Sequence, residues 1–164
     1  MDIRLLQPDD ASAFVSLLKK VDETGFMLYE GGERETTETK QRESIERIVK
    51  DELSTAFVAE DNGELIGYIF GMGNQLKRKR HCAYIVIGVV DDHQGKKIGT
   101  KLFETIIHWA EAKDLKRLEL TVMKHNERAL RLYQNMGFEI EGEKVASLLI
   151  NGEFVDEYCM YKLL

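Results

Sequence analysis

A strand, a helix and a second strand follow one another between Ala83 and Val122, and that succession limits the topology of the chain. Ala83-Tyr84-Ile85-Val86-Ile87-Gly88-Val89-Val90 is rich in β-branched residues and reads as a mostly buried strand. After a loop around Gln94 and Gly95, residues Ile98, Leu102, Ile106, Trp109 and Ala110 recur at helical spacing, and Leu118-Glu119-Leu120-Thr121-Val122 reads as a strand again. Two strands joined through a helix pair in parallel, by a right-handed crossover.

The flanking segments predict antiparallel strands. Asn62-Gly63 between Ala56–Glu60 and Leu65–Phe70 specifies a tight hairpin, and Asn151-Gly152 between Val145–Ile150 and Phe154–Leu164 specifies another. Ile3 to Leu6 reads as a first strand. A helix carrying Phe14, Leu17, Leu18 and Val21 follows, with Asp9 or Asp10 as its cap, and a second helix over Glu38 to Leu53 carries Ile45, Ile48, Val49 and Leu53. Glu127 to Met136 reads as a short helix stopped by Gly137, after which Phe138 opens another strand. The expectation is a mixed α/β sheet, antiparallel around one crossover, in a single domain over residues 1–164.

Composition excludes several classes of function. Lys plus Arg total 23 against 29 for Asp plus Glu, a formal charge of -6, so nothing global favours nucleic acid or an anionic membrane. No apolar run approaches a membrane span and the N-terminus has no signal-like pattern, which points to the cytoplasm. Cys82 and Cys159 are too far apart for a disulfide framework, and His81, His93, His108 and His125 have no ligand spacing, so no metal is expected.

Two segments carry chemistry. In the first, the buried strand ends in Asp91-Asp92-His93-Gln94-Gly95-Lys96-Lys97-Ile98-Gly99-Thr100 and runs into the helix. Free N–H groups of a first helical turn, with the helix dipole and Lys96, Lys97 and Lys101, suit a phosphate or pyrophosphate. The order is neither that of a P-loop nor Gly-x-Gly-x-x-Gly, and by itself the segment reads equally as a tight strand-to-helix turn. The second segment is Asn126-Glu127-Arg128-Ala129-Leu130-Arg131-Leu132-Tyr133-Gln134-Asn135-Met136-Gly137-Phe138, in which Asn126 can cap a helix and Tyr133 lies about two turns on.

Together, in this order with a strand between them, the two segments resemble the GNAT family of acetyl-coenzyme A dependent N-acetyltransferases. The family's Gln/Arg-x-x-Gly-x-Gly/Ala signature falls on Gln94 to Gly99, with Lys97 standing at the usual middle glycine. Its Asn-x-x-Ala-x-x-Leu-Tyr-x-x-x-Gly-Phe motif is met by Asn126, Ala129, Leu132, Tyr133, Gly137 and Phe138. The resemblance implies a mostly antiparallel sheet with a splayed central parallel pair and flanking helices. It further implies that the strand over Ile87, Gly88 and Val89 parts from its parallel neighbour at a bulge and pairs with the pantetheine arm.

On that resemblance, Gln94, Gly95, Lys96, Lys97, Ile98, Gly99 and Thr100 hold the pyrophosphate, Asn126 contacts coenzyme A, and Tyr133 is the general acid for the leaving thiolate. A phenol keeps its proton at neutral pH, which suits that role. The acceptor is a primary amine attacking directly, without an acyl-enzyme, on a small molecule such as an amino acid or polyamine. Peptide N-termini and a non-catalytic coenzyme A sensor are the alternatives, and a homodimer is allowed. Tyr84 and Glu119 are candidate proton acceptors. In the irregular segment between the first two helices, Tyr29, Glu30, Glu33 and Glu35 are candidates for recognising a cation, and the run Lys77-Arg78-Lys79-Arg80 is a solvated turn or the partner of a substrate carboxylate.

Overall fold

The computed structural model describes residues 1–164. Its strands are β1 (Asp2–Leu5), β2 (Thr55–Asp61), β3 (Glu64–Gly73), β4 (Cys82–Val89), β5 (Arg117–Met123), β6 (Glu139–Ile150) and β7 (Glu153–Leu163). Its helices are α1 (Ala11–Asp22), α2 (Glu38–Lys50), α3 (Ile98–Ala112) and α4 (Glu127–Asn135). All seven strands form one sheet in the order β1-β2-β3-β4-β5-β7-β6, antiparallel except for the β4/β5 pair that the crossover through α3 creates.

Both Asn-Gly hairpins are present. Asn62 (φ 50°) and Gly63 (φ 81°) turn β2 into β3, and Asn151 (φ 51°) with Gly152 (φ 79°) turn β6 into β7, the paired positive dihedrals that such turns require. Three expectations about helix ends and the final strands need correction. Asp10 does not cap α1 through its side chain: Pro8 starts a tight turn that leads straight into the helix, and the Asp10 carboxylate instead accepts from the Gln7 N–H and from Arg4. The second helix stops at Lys50 because Asp51 is extended (ψ 113°), so Leu53 is outside its stripe. The segments after Gly137 are one strand, β6, whose pairing with β7 is interrupted between Lys144 and Leu148, around Ala146 at φ 51°.

Two apolar layers sandwich the sheet. Phe14, Leu17, Leu18 and Val21 of α1 and Ile45 of α2 pack with Val58 and Tyr68 on one face. Ile98, Leu102, Phe103, Ile106 and Ala110 of α3 cover Ile69, Ile85, Leu118 and Leu120 on the other. Alternation along each strand divides the residues between these layers.

The parallel pairing is short. Cys82, Ala83 and Tyr84 pair with Arg117, Leu118 and Glu119, and there it ends, although β4 runs on to Val89 and β5 to Met123. The two strands therefore part, and the ends of both face an opening. The expected bulge is absent: β4 pairs with β3 without a register shift from Ala83 to Val89. Gly88 has a different cause. A Cβ there would lie 2.5 Å from Val21 Cγ1 and 2.9 Å from Tyr68 Cε1, so the glycine lets α1 and the β3 tyrosine close over the strand.

Candidate active site

The opening between β4 and β5 leads into a cavity of about 870 Å³, within the range of small-molecule and cofactor sites. The α3 N-terminus and α4 border one side of it, and α1 with the α1–α2 segment borders the other. Of the residues expected from the sequence, Ile87, Gly88, Val89, Gln94, Gly95, Lys97, Ile98, Gly99, Thr100, Asn126, Tyr133, Tyr29 and Tyr84 line it. Lys96, Glu30, Glu33, Glu35 and Glu119 do not, and neither does any residue of Lys77–Arg80.

The strand-to-helix loop has the backbone of an anion cradle. None of the N–H groups from Gly95 to Thr100 finds an acceptor within the protein, the first intrahelical bond being Lys101 N–H to Lys97 C=O at 3.1 Å. Unpaired donors at a helix N-terminus bind anions. Gly95 takes φ 81°, and Lys97, the residue at the middle position of the Gln94–Gly99 signature, takes φ 62°. Lysine therefore carries a left-handed backbone that glycine would adopt freely. Lys97→Gly is expected to stabilise the protein by up to about 1 kcal/mol, the relief of strain exceeding the added chain entropy; a urea titration whose midpoint stayed put or fell would contradict this.

Gly99 is required by packing. A Cβ there would sit 2.7 Å from Leu132 Cδ2, so the glycine brings α3 against α4 and with it the loop against the second motif. A side-chain bridge joins them as well: the Gln94 amide donates to Val89 C=O at 3.3 Å and Asp91 Oδ1 at 3.0 Å, while its oxygen accepts from Arg128 Nη1. Arg128 and Arg131, one turn apart on α4, add positive charge to the cavity wall beside Lys97. Both arginines stand in the second sequence segment without being singled out as site residues, although their i, i+3 spacing marks a shared face. His93, which ligand spacing set aside, also lines the cavity, and its buried Nδ1 has no partner in the protein. The free N–H run, the three cations and this orphaned nitrogen all fit a polyanionic ligand with polar groups beyond its phosphates.

Asn126 does cap α4, its Oδ1 accepting from Ala129 N–H at 3.3 Å. Tyr133, two turns on, is only 8% exposed and packs edge-on against Phe103 at 5.5 Å between centroids. Its hydroxyl bonds to no protein group, and burial pushes the phenol well above its ordinary pKa, so it stays protonated at neutral pH.

The acceptor candidates separate. Tyr84 donates to or accepts from Thr121 Oγ1 at 2.9 Å, a bond that spans the parting strands just beyond their last pair. Glu119 is held by Arg117 at 3.2 Å and lies 3.9 Å from Lys79, away from the cavity. Glu33 accepts from the Glu30 N–H at 2.8 Å, closing a turn of its own loop. The one carboxylate that lines the cavity is Glu157 on β7, opposite Met123 of β5 and Lys144 of β6, with Ser147 Oγ donating to its Oε1 at 2.9 Å. No periodicity singles it out in sequence, because the splay of β5 and the pairing order of the sheet are what turn it inward.

Comparisons with known proteins agree with this architecture. The model of the acetyltransferase (GNAT) family matches residues 19–138. The L-amino acid N-acetyltransferase AaaT of Escherichia coli is 32% identical over 65% of this chain and 66% of its own length, and the spermidine N(1)-acetyltransferase of the same organism is 27% identical over 66% of this chain and 58% of its own. The matches thus span about two thirds or less of these relatives. Among solved structures, an acetyltransferase of the GNAT family from Streptococcus pneumoniae superposes with a TM-score of 0.94 at 32% identity, over 99% of this chain and 98% of that one. A Salmonella typhimurium protein, yncA, solved with its cofactor acetyl-CoA, superposes with a TM-score of 0.89 over 100% of this chain and 94% of that one; at 20% identity the likeness concerns the fold alone. The family match runs from within α1 through the loop, the crossover and Tyr133 to Phe138, and on that ground the chain belongs to the GNAT acetyltransferases.

Proposed function

We propose that the protein moves an acetyl group from acetyl-coenzyme A to the primary amine of a small molecule, by direct attack. The observation that carries this reading is the sharing of one cavity by a run of free N–H groups at a helix N-terminus and by the buried, unpartnered phenol of Tyr133. The backbone from Gly95 to Thr100, with Lys97, Arg128 and Arg131, would hold the phosphates, and the unpaired end of β4 over Ile87 to Val89 would take the pantetheine amides as an added strand. When bound, acetyl-coenzyme A supplies an activated thioester.

The chain's own groups then manage protons. An amine is mostly protonated at neutral pH, so one proton must leave before attack. Glu157 replaces Glu119 as the group in position to accept it, directly or through water, and to pass it to solvent. Tyr133 donates its hydroxyl proton toward the departing sulfur and recovers one from the acylated nitrogen. Overall, the ammonium gives up two protons, one to the thiol and one to solvent.

The test is thiol release in the presence of acetyl-coenzyme A and a panel of amino acids, polyamines and short peptides. Turnover of a free amine is expected, and Glu157→Gln should lower kcat/KM by about 10²-fold without weakening acetyl-coenzyme A binding. Turnover confined to peptides would contradict the small-molecule reading, and a Glu157→Gln variant of full activity would remove Glu157 from the proton path.

A further inference from the structure

We infer that the acceptor carries an anionic group beside its amine, as an α-amino acid does, and that Arg34 binds that group. This rests on the acetyltransferase reading above and narrows its substrate class. The α1–α2 segment returns Arg34 to the end of α1, where Nε donates to Asp22 Oδ2 at 2.7 Å and Nη2 to Asp22 Oδ1 at 3.0 Å. Asp22 is 1% exposed, so the pair is built into the interior. The Tyr29 ring covers the guanidinium, with its centroid 4.2 Å from Cζ.

One edge and one face of the guanidinium are therefore committed, and its direction is fixed. Nη1, with two N–H groups, donates to no side chain or carbonyl of the protein, and Arg34 lines the cavity wall across from the coenzyme cradle. It also borders a shallower hollow beneath α2. A permanently charged fork whose orientation is locked by a buried partner is suited to a carboxylate, because little side-chain freedom remains to be lost on binding. The basic run at Lys77–Arg80, read as a solvated turn or the partner of a substrate carboxylate, is away from the cavity; of the two cations on the acceptor side, Lys144 stands opposite Glu157 on β6, and Arg34 is the one whose direction a buried partner fixes.

The arrangement discriminates between the two kinds of small amine. A zwitterion can offer its carboxylate to Arg34 and its amine toward Glu157, the only carboxylate in the cavity lining. A polyamine brings a second ammonium and no anion, so the guanidinium meets a like charge in a partly desolvated wall. Leu18 and Phe70, which border the same hollow as Arg34, add an apolar surface for a side chain.

The experiment compares leucine, leucine methyl ester, 3-methylbutylamine and spermidine as acceptors, at saturating acetyl-coenzyme A. Because Arg34 variants leave Asp22 buried without its partner, the principal variant is the neutral pair Asp22→Asn/Arg34→Gln. Its melting temperature and acetyl-coenzyme A titration report whether fold and coenzyme site persist. The wild type should favour leucine over 3-methylbutylamine by about 30-fold in kcat/KM, and the double variant should lose about 30-fold on leucine, through KM, with 3-methylbutylamine nearly unchanged. Arg34→Lys provides a second reading, with partial rescue expected on leucine alone.

Spermidine or 3-methylbutylamine turned over as well as leucine by the wild type would overturn the inference while leaving the acetyltransferase reading intact. Equal losses on all acceptors in both variants would do the same. Absence of thiol release with every amine, together with absence of acetyl-coenzyme A binding, would overturn both.

Discussion

Tyr133→Phe is expected to reduce kcat by about 10²-fold or more, the usual scale of a general acid or base, while leaving the affinity for acetyl-coenzyme A within about twofold. The substitution removes one hydroxyl that bonds to no protein group, so the ring keeps its edge contact with Phe103 and its tilted contact with Phe138, and the fold loses little. What disappears is the only proton that a buried side chain of α4 can deliver into the cavity. Burial supports the assignment by raising the phenol's pKa, which keeps the donor loaded through the neutral range. Pre-steady-state measurement of thiol release separates this from a change in product release: a slowed chemical step fits the acid role, and an unchanged one would remove it.

Arg34→Ala is expected to cost about 3–5 kcal/mol of stability, because it strands the buried Asp22 carboxylate without its bidentate partner. In a chain of this length that corresponds to a fall in melting temperature of roughly 6–20 °C. The α1–α2 segment should loosen too, since Tyr29 stacks on the same guanidinium. Asp22→Asn/Arg34→Gln should retain most of that stability, as a neutral hydrogen-bonding pair replaces the charged one. Thermal melts of the two variants side by side decide the matter, and equal melting temperatures would show that the ion pair does not hold this segment.

Much of the fold was legible because local signals and topology agreed. The Asn-Gly turns, the β-branched run over Ala83–Val90 and the amphipathic stripe of α3 each fixed an element, and the crossover rule joined β4 to β5. The coenzyme half of the site was legible for a related reason: Gln94 to Thr100 and Asn126 to Tyr133 are continuous stretches, so spacing alone displays their chemistry. The acceptor half was not. Arg34 and Glu157 come from segments far apart in sequence, and only the parting of β4 from β5 and the β5-β7-β6 order bring them to one cavity. Glu119 illustrates the opposite error. Its strand is the right one, but Arg117 and Lys79 hold its carboxylate on the paired end of β5, before the splay begins. A glycine inside a strand admits either a bulge or a close approach, and at Gly88 it is the approach of Val21 and Tyr68 from the α1 layer, whose source no pattern within β4 records.

The Gly95–Thr100 cradle is expected to hold acetyl-coenzyme A even with a left-handed lysine at its middle position. Calorimetric titration of acetyl-coenzyme A into the purified protein tests this most directly. One site of micromolar affinity, about 8 kcal/mol of binding free energy, is expected. A titration without saturable heat, repeated with Lys97→Gly to the same end, would contradict it.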